Sequence, residues 1–215
     1  MIGIEHPIQF AHHEFVLNNQ RCMFWEKHQL LIVSDVHIGK SAHLRKHGFA
    51  VPNIMHQNDL LRLDQLVQHY QPKQLLVVGD LIHAGNNKEV SAFKEWIQSH
   101  VNLEIVLIKG NHDRLSPTFL FSLGIHQIYD EWIVDGIHFV HEPDFSSNEP
   151  TISGHIHPGI QLTLLKNSRK SFPCFAIEGN QLILPAFSQF TGLDIKSLDK
   201  TSKYYGFHPE GFFCI

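Results

Sequence analysis

Five short clusters of residues that commonly bind metals occur in a fixed order along the chain. They are Asp35-Val36-His37, Gly79-Asp80, Gly110-Asn111-His112-Asp113, His141-Glu142 and Gly154-His155-Ile156-His157. Carboxylate and amide oxygens, delivered together with imidazole nitrogens, suit a pair of divalent cations. The sequence therefore predicts metal-assisted hydrolysis of a phosphate ester.

Each cluster taken alone has an ordinary structural explanation. A single Asp after a strand commonly caps a helix or a turn, and a single His is commonly solvated or hydrogen-bonded. Chance does not easily place all five clusters, in this order, in one chain of 215 residues. The complete set carries the prediction, and no single member does.

Three of the clusters follow short apolar runs that are typical of buried strands. The runs occupy residues 30–33, 75–78 and 103–108, and they lead to Asp35, Asp80 and Asn111. Ligands of open α/β sheets bind beyond the carboxyl ends of the strands, so we expect these three side chains to converge. The glycines before Asp80 and Asn111 permit tight turns that aim both side chains inward.

The remaining pattern predicts an α/β first half and a β-rich second half. Helical periodicity covers residues 53–70 and 90–100, a hairpin is expected at 14–17 and 21–25, and a loop or short helix at 41–52. Later strands are expected at 137–140, 151–153, 162–165, 174–177 and 182–184, with a turn at 178–181. Helices between strands imply βαβ units. We expect two packed sheets with helices outside, in a single domain spanning 1–215.

The composition excludes several classes of protein. Hydrophobic residues make up 43% of the chain, which excludes disorder, and no apolar run of about 18 residues predicts a membrane span. The first residues lack a signal-peptide pattern, and the three scattered cysteines predict free thiols, so a cytoplasmic protein is expected. A net charge of −4 argues against strong non-specific binding of nucleic acid, but it permits a local group of basic residues around a site.

The ordered clusters between residues 35 and 157 resemble the calcineurin-like metallophosphoesterase superfamily. The resemblance implies a four-layer α/β/β/α sandwich with two mixed sheets and flanking helices. It implies one cation held by Asp35, His37, Asp80 and His157, and a second held by Asp80, Asn111, His141 and His155. Asp80 would bridge the two cations, and His112 would face the substrate phosphate without binding metal.

Elementary chemistry agrees with that implied arrangement. Two divalent cations with two carboxylates and neutral imidazoles leave a charge of about +2, which a bridging hydroxide and a phosphodiester would neutralise. The cations would make that hydroxide the nucleophile near neutral pH. A protonated His112 could donate to the leaving oxygen, and Asp113 could orient it. The resemblance favours Mn²⁺, while the ligand types also allow Fe, Zn, Co or Ni.

Two further stretches resemble a narrower group, the bacterial ligase-associated DNA damage response endonucleases. The first runs from Ser34 through Lys40 to Pro52, and the second is residues 184–192, Leu-Pro-Ala-Phe-Ser-Gln-Phe-Thr-Gly. The second stretch departs from that group at Ser188 and Leu193, where glycine is usual. The resemblance implies a nuclease acting on DNA in repair, with a functional link to a DNA ligase and a helicase.

The substrate is less strongly specified than the metal site. Lys40, Arg45 and Lys46 follow the first ligands closely and are predicted to hold substrate phosphates, although a solvated basic loop is an alternative. Aromatic residues that could stack bases are Phe187, Phe190, Phe212 and Phe213, with packing as the simpler interpretation. A hydrolase of small nucleotides or other small phosphoesters is the main alternative function, and a non-catalytic scaffold is a minor one.

Overall fold

Two mixed β-sheets and a group of helices make up the computed structural model, which describes residues 3–46, 48, 54–83, 85, 87–163, 167–199 and 201–215. The first sheet has seven strands in chain order: β1 (Glu5–Phe10), β2 (His13–Asn18), β3 (Cys22–Trp25), β4 (Leu30–Ser34), β5 (Gln74–Val78), β6 (Glu104–Ile108) and β7 (Gln127–Tyr129). Strands β1 to β4 pair antiparallel, and β4 to β7 pair parallel.

The second sheet contains the remaining eight described strands. They are β8 (Glu131–Val134), β9 (Ile137–Val140), β10 (Thr151–Ser153), β11 (Gly159–Thr163), β12 (Arg169–Glu178), β13 (Gln181–Ile183), β14 (Lys203–His208) and β15 (Gly211–Cys214). Their order is β15-β14-β12-β13-β10-β9-β8, with β11 pairing β12. Strand β10 is parallel to both β9 and β13, whereas the other pairs are antiparallel.

The α-helices of the described chain all precede the second sheet in sequence. They are α1 (Lys40–Lys46), α2 (Ile54–Tyr70), α3 (Lys88–Ser99) and α4 (Pro117–Leu123). None of these helices is long and apolar enough to cross a membrane. The predicted loop or short helix at 41–52 and the predicted strand at 162–165 each fall partly outside the described residues. Two mixed sheets with flanking helices confirm the predicted fold class.

Alternating side chains of the central strands build two separate cores. On β4, Leu31 and Val33 pack with the buried faces of α2, α3 and α4, whereas Leu30 and Ile32 pack against the second sheet. Because successive residues of a strand point to opposite faces, a strand buried on both faces must be apolar throughout. This requirement explains the uninterrupted apolar runs of β4, β5 and β6.

Strands β4, β5 and β6 end level with one another. Ser34 pairs with Val78, and Val78 pairs with Ile108, so the next residues of all three strands leave the sheet at one edge. In the second sheet, β9 and β10 are parallel and are followed by His141 and His155. The two sheets therefore deliver polar residues to a common region from both sides.

Candidate metal centre

One predicted group of ligands comes together around Asp35 at the end of β4. Ligand atoms of Asp35, His37 and His157 all lie within 4.8 Å of one another. Asp35 Oδ1 and His157 Nε2 are 3.2 Å apart. Asp35 and His37 come from the first sheet and His157 from the segment after β10, so this group joins the two halves of the chain.

A second group of ligands gathers around His141. Its Nε2 atom lies 3.6 Å from Asp80 Oδ1, 3.1 Å from Asn111 Oδ1 and 3.1 Å from His155 Nδ1. Ligand atoms of Asp35, Asp80 and His141 also lie within 4.8 Å of one another. Asp35 therefore belongs to both groups, and Asp80 belongs to the second.

Buried polar atoms test whether these side chains fit a cation. Asp35 Oδ1, both ring nitrogens of His37 and His157 Nε2 are buried and have no hydrogen-bond partner among the described residues. Asp35 Oδ1 and His157 Nε2 are only 3.2 Å apart, but the angles between them are not those of a hydrogen bond. Each unsatisfied buried polar atom costs roughly 1–3 kcal/mol. A divalent cation among them would satisfy Asp35 Oδ1, His157 Nε2 and one ring nitrogen of His37, so the donor set fits a metal.

The protonation states of two of these ligands also suit metal binding. Burial, with a smaller contribution from the Lys40 charge, lowers the pKa of His37 to about 3. Burial raises the pKa of the Asp35 carboxyl, but contact with His157 and the charges of neighbouring imidazoles outweigh it and leave the pKa below its usual value. Near neutral pH, His37 is neutral and Asp35 is ionised, as metal ligation requires.

The backbone is held in the left-handed region at most of the predicted ligands. The φ angles are 53° at Asp35, 52° at His37, 52° at Asp80, 67° at His155 and 54° at His157. Residues other than glycine rarely adopt this conformation, and such residues cluster at functional sites because the surrounding structure enforces them. Two backbone hydrogen bonds hold this conformation here. The Asp35 N–H donates to the Gly79 carbonyl at 3.1 Å, and the His37 N–H donates to the Asp80 carbonyl at 2.8 Å.

Three glycines allow the ligands to approach the backbone closely. A Cβ atom at Gly79, Gly110 or Gly154 would lie 1.8 Å from His141 Nδ1, 2.2 Å from Asp80 Oδ1 or 2.6 Å from Asp35 Oδ2. No other residue fits at such distances. At Gly79 the φ of 80° adds a conformational reason, in agreement with the predicted turn. At Gly110 the need for glycine is the close approach of the Asp80 carboxylate.

His112 lies at the mouth of the centre. Its backbone N–H donates to Asp80 Oδ1 at 2.9 Å, and its ring Nε2 is 4.0 Å from Asp80 Oδ2. Its ring centroid is 6.0 Å from that of His37 and 4.9 Å from that of His83. The side chain is 41% exposed. The backbone of His112 is therefore fixed to a ligand while its ring stays accessible to a substrate.

Asp113 has a different environment from the one that its sequence position suggested. Its buried carboxylate accepts backbone N–H donors from Leu81 at 3.3 Å, Ile82 at 3.0 Å and Gly110 at 2.9 Å. Within the described part of the chain it makes no hydrogen bond to the His112 ring. Burial raises the pKa of the Asp113 carboxyl, and these hydrogen bonds offset only part of that rise. Its contacts tie the segment after β5 to the segment after β6.

Two arginines that the sequence did not single out, the buried Arg62 and the half-buried Arg21, hold the segment Ala186–Ser188. Arg62 donates to the Phe187 carbonyl, with its guanidinium carbon 4.2 Å from the centre of the Phe187 ring. Arg21 donates to the carbonyls of Ala186 at 3.0 Å and Ser188 at 2.9 Å. Phe187 is fully buried, so packing is its role and base stacking is excluded.

The segment Ala186–Ser188 in turn holds the end of β4. The Phe187 N–H donates to the Ser34 carbonyl at 2.7 Å, and the Ser188 N–H donates to the Asp35 carbonyl at 3.2 Å. Arg62 is also paired with Asp59 at 3.0 Å. The sequence contains one local indication of this contact, because the cationic Arg62 occurs within the apolar face of α2. The two arginines therefore support, through this segment, the backbone of Asp35, a predicted metal ligand.

The three predicted substrate-binding cations differ in their surroundings. The Lys40 N–H donates to the His37 carbonyl at 3.1 Å, which places Lys40 beside the centre. Burial lowers the pKa of the Lys40 ammonium, and the charges of Asp35 and Asp80 oppose this shift. Arg45 is paired with the buried Glu89 at 2.8 Å. The backbone of Lys46 belongs to α1, and its side chain lies outside the described part of the structure.

Together, the fold and this donor set define a metal-dependent phosphoester hydrolase. Residues 28–202 match the family model described as calcineurin-like phosphoesterase. Because that match spans most of the sequence, the chain belongs to the calcineurin-like phosphoesterase family.

Among solved structures, the chain has a strong likeness to a nuclease. The nuclease MPE of Pseudomonas putida is 30% identical over 94% of this chain and 96% of its own, with a TM-score of 0.80. Weaker likenesses are AQ665 of Aquifex aeolicus, a protein of unknown function, and the phosphoesterase Yfce of E. coli. AQ665 is 19% identical, covers 60% of this chain and 78% of its own and has a TM-score of 0.43. Yfce is 14% identical, covers 82% of this chain and 86% of its own and has a TM-score of 0.42. Comparison with curated protein sequences gives no match.

Proposed function

We propose that the chain is a dinuclear metal-dependent phosphodiesterase that acts as a nuclease on DNA. The observation that carries this proposal is the buried set of unpaired donor atoms on Asp35, His37 and His157. The likeness to a nuclease over nearly the whole chain supports DNA as the substrate. A role in DNA repair, with a link to a DNA ligase and a helicase, rests on the resemblance of residues 34–52 and 184–192. Such a role places the enzyme in the cytoplasm, with the DNA.

The ligands are assigned to two cations. The first is held by Asp35, His37, Asp80 and His157, and the second by Asp80, Asn111, His141 and His155. When bound, the cations supply a hydroxide nucleophile near neutral pH and neutralise charge on the phosphoryl group. Mn²⁺ is our first choice, and Fe, Zn, Co and Ni suit the same mixture of imidazole and carboxylate.

The protein's own side chains orient the substrate and move the proton. His112 is accessible and fixed through its backbone to Asp80, so its ring can donate to the leaving oxygen of the diester. Asp113 holds together the two segments that carry Asp80 and His112. Lys40 is assigned to the reacting phosphate, and Arg45 and Lys46, which follow it in α1, are assigned to a flanking phosphate.

Hydrolysis assays in the presence and absence of metal test the proposal. The purified protein is stripped with a chelator, reloaded with Mn²⁺, and given either a single-stranded oligonucleotide or bis-p-nitrophenyl phosphate. We expect cleavage of both substrates with metal and of neither without it. Cleavage of free or cyclic nucleotides in preference to the oligonucleotide would favour the small-substrate alternative. No hydrolysis of any phosphoester with any of the five metals would contradict the proposal.

A further inference from the structure

A cavity of about 300 Å³ opens beside the metal centre. It is lined by Ile82, His83, Gly85, His112, Arg114 and Leu115 and is called the Arg114 pocket below. His112 belongs to both the pocket and the mouth of the centre. The ring centroid of His83 lies 4.9 Å from that of His112 and 5.7 Å from that of His37, so this wall of the pocket adjoins the centre. The pocket therefore starts at the residue that faces the reacting phosphate.

The charge of the pocket comes from Arg114. This side chain is exposed, and none of the carboxylates in the described residues lies within 4.0 Å of it. Its Nε donates weakly to the Asn111 carbonyl at 3.5 Å. Arg45 and Arg62, in contrast, are paired with Glu89 and Asp59. A guanidinium has five N–H donors in a planar fork that matches phosphate oxygens, so Arg114 has most of its donors left for an anion.

The lining of the pocket differs from that of the metal centre. None of the predicted metal ligands lines it, whereas the reacting phosphate must contact cations held by those ligands. An anion bound by Arg114 is therefore a different phosphate of the same substrate. A DNA strand supplies such a phosphate at the neighbouring nucleotide, and a simple diester supplies none.

We propose that the Arg114 pocket binds a second phosphate of the substrate, adjacent to the scissile one, through the guanidinium of Arg114. This inference rests on the proposed function and adds a specificity determinant to it. The pocket gives the enzyme its preference for phosphodiester chains over isolated diesters. The second phosphate is either an internal one of a strand or the terminal one of a short oligonucleotide.

The test compares Arg114→Gln with the wild type and with Lys73→Gln as the matched control. Lys73 is an exposed cation just before β5, at the sheet edge opposite the centre. The Mn²⁺-loaded proteins are given bis-p-nitrophenyl phosphate, TpT, pTpT and TpTpT. We expect Arg114→Gln to lower the ratio of kcat/KM for pTpT or TpTpT to that for TpT by about 10-fold or more. Lys73→Gln should keep the wild-type ratio, and Arg114→Lys should recover part of it because the charge remains.

The pattern among the substrates identifies the phosphate. An effect on pTpT alone indicates a terminal phosphate, and an effect on TpTpT indicates an internal one. Equal losses of kcat/KM on all four substrates would overturn the inference, because Arg114 would then act on the reacting phosphate or the metal centre. An unchanged ratio would overturn it as well.

A binding measurement separates failure of this inference from failure of the proposed function. Fluorescence anisotropy of a labelled oligothymidylate in the presence of a chelator reports affinity without catalysis. We expect Arg114→Gln to weaken binding and to reduce its salt slope by about 0.7, as loss of one phosphate contact predicts. Unchanged affinity and slope would overturn the inference even if the wild type cleaves DNA. A wild type that binds DNA through Arg114 without cleaving any diester would contradict the proposed function alone.

Discussion

Each of the two buried carboxylates of the centre uses one oxygen to fix its own orientation. Asp35 Oδ2 accepts the backbone N–H of His155 at 3.1 Å, and Asp80 Oδ1 accepts that of His112 at 2.9 Å. Asp35 Oδ1 has no hydrogen-bond partner among the described residues and is left to bind a cation. Backbone N–H groups thus position both of the predicted ligand carboxylates before a metal arrives.

The bridging role proposed for Asp80 can be tested by Asp80→Asn. The amide keeps an oxygen that can accept from the His112 N–H, but it removes the negative charge that two cations would share. We expect metal content, measured by elemental analysis after dialysis, to fall below one ion per chain. The melting temperature in a chelator serves as the control for folding. Two fully retained ions would contradict the bridging role.

The proposed proton donor can be tested by His112→Asn. No predicted ligand needs the His112 ring, so the variant should keep its metal content. The kcat for a phosphodiester should fall by roughly 10²–10⁴-fold, the usual scale for a positioned acid or base. Loss of metal in parallel with activity would make His112 a ligand instead of a proton donor.

For individual residues, the sequence predicted the site residues that lie in short motifs and missed those that act through contacts between distant parts of the chain. The seven predicted ligands lie in local patterns, and the structure brings their side chains together in two groups. The contact between Arg62 and Phe187 spans 125 positions, and that between Arg21 and Ser188 spans 167. Such contacts depend on how α2 and the C-terminal segment pack, so no local spacing indicates them.

The elements that carry the site show why glycine precedes so many ligands. Gly79 follows β5, and its missing side chain leaves the space that the His141 ring occupies. His141 in turn follows β9 of the second sheet. The contact between one glycine and one imidazole therefore fixes how closely the two sheets approach at the metal centre.

Gly79→Ala tests this packing, with Gly136→Ala as a matched control. Both glycines have a similar left-handed φ, 80° at Gly79 and 77° at Gly136, but a Cβ at Gly136 meets nothing within 4 Å. The backbone cost of about 1–2 kcal/mol is common to both variants. We expect Gly79→Ala to lose further stability in urea unfolding and to bind less metal, because the Cβ displaces His141. Equal stability and equal metal content in the two variants would contradict this explanation.

The success of sequence prediction for the elements depended on burial. The central strands β4, β5 and β6 are buried on both faces, and their apolar runs predicted them closely. Strand β1 was missed because its residues alternate between exposed and buried and include Pro7. The predicted strand at 174–177 is the buried half of β12, whose first residues are exposed and pair only with β11. Edge strands carry too few apolar residues to be recognised by periodicity.

For the whole molecule, the two sheets are joined at both ends of their shared core. The metal centre joins them at the carboxyl ends of β4 and β9. At the other end, the turn between β8 and β9 places Asp135 against the segment that connects β3 to β4. Asp135 accepts from Lys27 at 2.6 Å and from His28 at 2.8 Å, and its carbonyl lies 3.1 Å from His13 Nε2.

This second junction predicts a specific dependence of stability on pH. Hydrogen bonds from Lys27 and His28 lower the pKa of Asp135 to about 2, from an unfolded value of about 3.9. A carboxyl whose pKa is lowered by folding stabilises the native state above its unfolded pKa, and this contribution disappears as the pH falls through its folded pKa. We therefore expect the metal-free wild type to be more stable than Asp135→Asn at pH 5. The difference should shrink between about pH 4 and pH 2, as measured by urea unfolding at each pH.

Asp130→Asn is the control, because Asp130 is 94% exposed and its nearest cation, Lys109, is 3.9 Å away. A difference between wild type and Asp135→Asn that stays constant down to pH 2 would show that the carboxylate charge does not hold the two sheets together at this end.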